Sequence, residues 1–382
     1  MTVADRDRLA ALPTPCLVLD EARMARNIRR LRAHIHTLGV ALRPHLKTAK
    51  SVTVARRLLT GGNGPATVST LREAEVFAEA GVADILYSVG ISPDKLARVL
   101  ALRARGCDLS VVLDCAAQAV AVAEASRRSG DAIPALIEID CDGHRSGLVP
   151  GNPEIVAIGR ILHQGGAHLR GVMTHAGESY GANDKAGLTA FAEQERQAVV
   201  AAAESLRAAG LPCPVVSVGS TPTAHFARDL NGVTEVRAGV FVFFDLVMAG
   251  IGVCATADIA LSVLATVIGH QPERGWIIVD AGWMAMSRDR GTQTQAVDQG
   301  YGLVCDVEGR VVDLIVAQAN QEHGIVTVRP GSAASLPDLP VGTRVRILPN
   351  HACSTAAQFD EYAVLPVEPG APVAHWPRFR GW

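Results

Sequence analysis

Eight short apolar runs alternate with alanine-rich stretches between about residue 40 and residue 240, and this alternation constrains the fold more than any other feature of the chain. The runs are "VALRPHLKT", "PATVST", "DILYSV", "DLSVVLD", "PALIEID", "LRGVMTHAG", "PVVSVGST" and "TEVRAG". The segments between them, such as "DKAGLTAFAEQERQAVVAAAESLRAAG" with Gly210 at its end, carry helical spacing and a glycine stop. Strand followed by helix, repeated, is the sequence form of parallel βα units. Eight such units predict a (β/α)8 barrel; an open doubly wound sheet is the alternative, because strand order is not written in a sequence. A short strand, "PCLVLD", precedes them. Beyond about residue 255 the helical spacing stops, and "ALSVLATVIGH", "GWIIVDAGW", "GLVCDVEGRVVDLIV", "GIVTVRP" and "GTRVRILPNHACS" predict a second, mainly antiparallel β domain. The expected division is a barrel over residues 22–250, with 1–21 and 251–382 forming the β domain.

A chain of 382 residues exceeds what one hydrophobic core usually serves, in keeping with two domains. Charged residues make up 19% and the formal net charge is −2, which argues against nucleic acid or an anionic membrane as the main partner and leaves a small polar substrate. No uncharged run approaches the roughly 18 residues needed to span a bilayer, and "MTVADRDRLA" lacks an apolar leader core, so a cytoplasmic location is expected. The eight cysteines are scattered without a CxxC pair, which indicates neither a disulfide framework nor a zinc knuckle.

In a (β/α)8 barrel, active sites lie at the carboxyl ends of the strands, and those ends are strongly marked here. The first holds Lys47, the fifth Arg145 in "IDCDGHRSG", the sixth His175 and Tyr180 in "THAGESY", the seventh "SVGSTPT" and the eighth Arg237. Written as a strand, "ALRPHLKT" puts Ala41, Arg43, His45 and Lys47 on one face, so Lys47 is expected to look inward. "VGSTPT" can offer backbone N–H groups and hydroxyls to a phosphate, in the loop where barrels often bind one. Taken singly, each feature has a blander reading: a basic rim, a turn, surface arginines, a core histidine, a tyrosine roof. Together they point to pyridoxal 5′-phosphate, whose aldehyde forms a Schiff base with a lysine amine while the protein holds its phosphate. A second constellation is "LPNHACST". In an extended segment His351 and Cys353 share a side and can bind one divalent metal, with positions left open for substrate. Zinc, manganese, cobalt and magnesium all remain candidates.

At these residues the chain resembles the fold-type III pyridoxal-phosphate enzymes, the alanine racemase-like group, and within it the D-serine dehydratase and D-threonine aldolase family. The motifs "TPCLVLD", "RPHLKTAKS", "EIDCDGHRSG", "THAGESY", "SVGSTPT", "VRAGVFVFFD", "VDAGWMAMSRDRG" and "PNHAC" occur in family order along nearly the whole chain. The resemblance implies that Lys47 is the Schiff-base lysine, that Gly219, Ser220 and Thr221 hold the phosphate, and that His351 with Cys353 binds the cation. It places His175 and Tyr180 beside cofactor or substrate and Arg145 and Arg237 near the cofactor, Arg237 against the pyridine nitrogen. An arginine there would keep that nitrogen unprotonated and weaken the ring as an electron sink, which a metal on the leaving group would offset.

The implied reaction is dehydration of a D-3-hydroxy amino acid: Lys47 takes the α-proton and the metal assists departure of the β-hydroxyl. 3-Hydroxyaspartate would yield oxaloacetate and D-serine pyruvate, each with ammonia. Arg288 and Arg290 in "SRDRG" are candidates for a substrate β-carboxylate, with an exposed mixed-charge turn as the alternative. The rival activity is a metal-dependent aldolase; family aldolases resemble a His-x-Asp pattern, whereas cysteine stands third here, as in the dehydratases. A non-catalytic pyridoxal-phosphate carrier is the alternative of another class. A homodimer is implied by the resemblance.

Overall fold

The structure is a computed structural model that describes residues 8–368 and 370–382; residues 1–7, expected in the β domain, lie outside the described residues. The chain divides into two compact units, one containing residues 30–239 and 381–382, the other the described residues of 8–29 and 240–380.

In chain order, β1 (Cys16–Asp20) belongs to the second unit. The first unit carries β2 (Ala41–Pro44), β3 (Ala66–Val68), β4 (Asp84–Gly90), β5 (Asp108–Leu113), β6 (Pro134–Ile139), β7 (His168–Thr174), β8 (Val215–Val218) and β9 (Glu235–Ala238). Each of the eight expected runs contributes one strand. They pair in parallel in the order β2-β9-β8-β7-β6-β5-β4-β3. The two ends meet through a bridge between His45 and Thr67 and a hydrogen bond of 2.8 Å from the Leu46 N–H to the Thr67 carbonyl. The sheet is therefore a nearly closed barrel, and the open doubly wound alternative is excluded.

Barrel strands are covered on both faces, which is why β6 is buried at every residue and its sequence is apolar without alternation. Its one carboxylate, Glu138, is buried with it. The longest helix, Lys185–Ala208, starts where Asp184 accepts the Gly187 N–H at 2.7 Å and ends before Gly210, whose φ of +74° suits only a residue tolerant of the left-handed region. Its buried stripe runs through Leu188, Ala192, Glu195, Val199, Ala202 and Leu206, so a glutamate occupies a position where helical spacing calls for an apolar residue.

The second unit carries β10 (Leu261–Gln271), β11 (Trp276–Val279), β12 (Gly302–Cys305), β13 (Val311–Ala319), β14 (Gly324–Val328), β15 (Arg344–Pro349), β16 (Glu361–Leu365) and β17 (Ala374–Pro377). β10-β11-β14-β13-β12-β15 pair antiparallel and return to β10, closing a six-stranded barrel that leaves none of those six as an open edge. β1 pairs antiparallel with β10 and parallel with β16, packing Val18 against Leu264, Ala363 and Leu365. Among the described residues no helix is long and apolar enough to cross a membrane.

Candidate active site

The lysine that the strand pattern turned inward stands just past its strand. β2 ends at Pro44, because the chain must there hand its hydrogen bonds from one neighbour to the other: the His45 N–H goes to Ala238 of β9, the next N–H to Thr67 of β3. The chain then turns, and Lys47 sits on that turn with its side chain exposed, not on a strand face. The turn is pinned at its far end by Lys50, whose φ is +43° and whose amine lies 3.2 Å from the fully buried Glu73. Glu73 also accepts the Ser69 N–H at 3.0 Å. His45 Nε2 lies 3.3 Å from Ser69 Oγ and 3.2 Å from Ser88 Oγ, while its Nδ1 accepts the Lys47 N–H at 3.4 Å. Burial holds His45 well below its ordinary pKa, and the charges of Lys47 and Arg237 push it further down.

The loop after β8 is built for close approach. A Cβ on Gly219 would overlap the backbone carbonyl of Arg237, so only glycine fits there. Ser220 caps the short helix Thr221–Phe226 in a reciprocal box with Thr223, each hydroxyl accepting the other residue's N–H at 3.2 Å. Behind the loop, Glu195 accepts the Gly219 N–H at 2.9 Å, the Ala176 N–H at 3.0 Å and the Thr223 hydroxyl at 2.7 Å. Two of the amides expected for a phosphate are thus engaged inside the protein. The Thr221 hydroxyl, by contrast, is buried with no hydrogen-bond partner. A buried orphan of this kind costs roughly 1–3 kcal/mol unless a ligand answers it, and a phosphate oxygen is a fitting acceptor.

His175 donates from Nδ1 to the Gly219 carbonyl at 2.6 Å, which leaves Nε2 as an acceptor. Burial pushes its pKa down to about 3 against the raising effect of that hydrogen bond, and Lys47, Arg145 and Arg237 lower it further. The structure therefore gathers Lys47, Arg145 and Arg237 closely enough around His175 for their charges to act on its ring. Tyr180 is tilted 46° to His175 with ring centroids 6.2 Å apart. Arg237 is buried, with its terminal nitrogens on Ser217 Oγ at 2.5 Å and on the Thr174 carbonyl, so a pyridine nitrogen would compete with two protein oxygens for it. Arg145 is half-exposed and lies 3.2 Å from Glu138, which also accepts from Ser146 Oγ at 3.1 Å.

In the second unit, the segment holding His351 and Cys353 is not extended. β15 stops at Pro349, His351 is the N-cap of the helix Ala352–Ala356, and Cys353 lies in its first turn. The pair is brought together by a cap: the Asp245 carboxylate accepts the Ala352 N–H at 2.9 Å and the Met248 N–H at 3.0 Å, tying two helix starts together. Cys353 hydrogen-bonds the His351 imidazole, and His351 Nδ1 lies 2.6 Å from Asp289 Oδ2. Burial opposes a charge on this ring, yet Cys353 and Asp289 hold its pKa well above the ordinary value. Among the described residues no group of three or more His, Cys, Asp or Glu side chains could hold a metal ion. An imidazole backed by a carboxylate, beside a thiol, nonetheless fits a two-ligand divalent site with open positions. Arg288 is exposed and rests over the Trp283 ring at 4.1 Å; Arg290 pairs with Asp298 at 2.6 Å and lies 5.3 Å from the Tyr301 ring centre.

Residues 19–247 match the model of the alanine racemase N-terminal domain, and residues 260–365 that of the serine dehydratase domain. Over 381 residues the chain is 56% identical to D-threo-3-hydroxyaspartate dehydratase of Delftia sp. (strain HT23), covering 99% of this chain and 100% of that one. The chain belongs to the D-serine dehydratase and D-threonine aldolase family. The solved structure of the Delftia dehydratase superposes with a TM-score of 0.95 over 98% of this chain and 100% of that one, and a further structure is of its C353A mutant in the metal-free form. D-threonine aldolase from Filomicrobium marinum, 26% identical, superposes with a TM-score of 0.82 over 96% of this chain and 95% of its own. D-serine dehydratase of Dictyostelium discoideum is 27% identical over 94% of this chain and 95% of its own. Membership in this family and its alanine racemase-like fold are as the motifs implied, and the chain is accordingly an enzyme. Glu195 and Asp289 were passed over in the sequence. Glu195 did leave a signal, a carboxylate on an apolar helical stripe; Asp289 left only its place between two arginines.

Proposed function

We propose that the chain is a pyridoxal-phosphate- and divalent-metal-dependent dehydratase of D-3-hydroxy amino acids that converts D-threo-3-hydroxyaspartate to oxaloacetate and ammonia. The observation that carries this reading is the 56% identity to the Delftia dehydratase along 99% of the chain. The cysteine in His351-x-Cys353 supports it against the aldolase pattern.

In this reading the barrel residues bind and deprotonate. Lys47, exposed on its turn, attaches the cofactor and then takes the substrate's α-proton. The orphan Thr221 hydroxyl donates to a phosphate oxygen, while Gly219 keeps the loop close and Ser220 holds its shape. His175, kept neutral, offers Nε2 as an acceptor, with Tyr180 beside it. Arg145 and Arg237, whose charges both act on the His175 ring, lie beside the cofactor, with Arg237 on the side of the pyridine nitrogen. Pyridoxal phosphate, when bound, supplies the electron sink that makes the α-proton removable. A divalent metal held by His351 and Cys353 supplies the Lewis acid for a β-hydroxyl that is otherwise a poor leaving group. Arg288 is our candidate for the β-carboxylate, since the charge of Arg290 is already matched by Asp298. The net reaction releases ammonia and leaves a 2-oxo acid. A homodimer and a cytoplasmic location complete the proposal.

The test is to supply metal-reconstituted holoenzyme with D-threo-3-hydroxyaspartate, D-serine and D-threonine and to assay ammonia, 2-oxo acids, glycine and aldehydes. Oxaloacetate with ammonia, fastest from 3-hydroxyaspartate, is the expected result. Glycine with an aldehyde would move the assignment to the aldolase side of the family, and a cofactor band without turnover would leave a carrier.

A further inference from the structure

We propose that Asp289 is the positioning residue of the metal pair: its carboxylate accepts a hydrogen bond from the Nδ1–H of His351 and so turns the Nε2 lone pair toward the cation. The inference rests on the metal reading above and deepens it. A neutral imidazole has one N–H and one lone pair, and the partner of the first decides where the second points. Asp289 Oδ2 is 2.6 Å from Nδ1 and accepts the Ser354 hydroxyl at 3.0 Å, so two donors fix its orientation.

The loop that delivers this carboxylate is fastened beside the histidine it serves. Ser287, at φ +71°, turns the chain into it. Asn350, the residue before His351, donates to the Gly300 carbonyl at 2.6 Å and to the Asp289 carbonyl at 3.4 Å, and accepts the Thr292 hydroxyl at 3.0 Å. Thr292 in turn accepts the Gln299 N–H at 3.1 Å. Both ends of the loop are thereby tied to one residue, and any shift of Asn350 moves Asp289 and His351 together. That is the support a ligand needs if it is to stay within a few tenths of an ångström of its working position.

A competing role for Asp289 is a plain ion pair with a charged His351. The two differ in sign. An orienting carboxylate strengthens metal binding, whereas an ion pair that favours the protonated ring competes with it.

The experiment is a Co²⁺ titration of the metal-stripped full chain, read by the thiolate-to-cobalt charge-transfer absorbance, which needs no turnover. Asp289→Asn should bind Co²⁺ about 10–100-fold more weakly than the unaltered chain and reach the same band at saturation. Ser354→Ala should weaken binding in the same direction by a smaller factor. Affinity for Asp289→Asn within about threefold of the unaltered chain, or tighter, would overturn the proposal. Failure of the metal reading itself looks different: the unaltered chain would give no thiolate band, or His351→Ala would titrate like it, and the inference would fall with that reading.

Discussion

The two clusters of candidate residues are assembled by opposite means. In the barrel unit, Lys47, Arg145, His175, Gly219 and Arg237 come from the ends of five strands and are joined only by closure of the sheet. In the β unit, His351, Cys353 and Ser354 lie within four consecutive positions, and one loop brings Asp289 to them. The first cluster depends on the whole unit and the second on one helix cap. The difference teaches where each is vulnerable: damage to the barrel should spread from site to stability, while damage at the cap should stay local.

The sharpest way to break this comparison is to remove one residue from each. Lys47→Ala should abolish the cofactor absorbance and lower activity by roughly 10³-fold or more, because attachment and the base are lost together. His351→Ala or Cys353→Ala should keep the absorbance and the melting temperature while lowering activity by about 10²-fold or more, an effect that a chelator reproduces in the unaltered enzyme. If the His351 variant also lost the cofactor, the two clusters would not be separable in function.

Glu195 offers a smaller but cleaner contrast. Glu195→Ala leaves the Gly219 and Ala176 amides without their acceptor in a buried place and removes the shortest hydrogen bond of the Thr223 hydroxyl, which keeps Ser220 as a partner. It should destabilise the chain by about 3 kcal/mol, read from denaturant unfolding, and weaken cofactor retention. Glu195→Gln keeps an acceptor for both amides and should recover most of the stability. An equal loss in the two variants would mean that the charge, not the hydrogen bonds, is what the loop requires.

The smallest effect is a pH dependence of the barrel unit. His175, held neutral with a pKa near 3, binds its proton far less readily in the folded chain than in the unfolded one. The unfolded state therefore takes up more protons as pH falls below the ordinary histidine value of about 6.5, and stability drops by at most about 1.4 kcal/mol per pH unit for this group. His175→Gln should flatten that slope between about pH 6 and pH 4 in unfolding measurements. An unchanged slope would assign the proton uptake to other groups, of which His225, pushed down to about 4 by burial, is the first to test.

Much of this could be read in the sequence, and the reason is local. Strand and helix periods are set by backbone geometry, so eight alternating runs announce eight βα units whatever else the chain does. Motif order carried the family, and the position of polar residues at strand ends marked the barrel mouth. The errors were equally physical. Alternation continued past Pro44 put Lys47 on a strand face, but closure of the barrel switches the hydrogen-bond partner between His45 and Leu46 and turns the chain. An extended reading of "NHACS" missed that Asp245, more than a hundred residues earlier, supplies the acceptor that starts a helix at Ala352.

By itself, then, the sequence determined the element types, the number of barrel strands and the residue types available for chemistry, because these follow from spacing and side-chain identity. Only the tertiary structure decided that Glu195 holds the Gly219 loop, that Arg237 is committed to Ser217 and Thr174, and that Asp289 meets His351. Those are contacts between residues distant in the chain, and their energy exists only once closure of each barrel has brought the partners within hydrogen-bonding distance and excluded the water that would otherwise take their place.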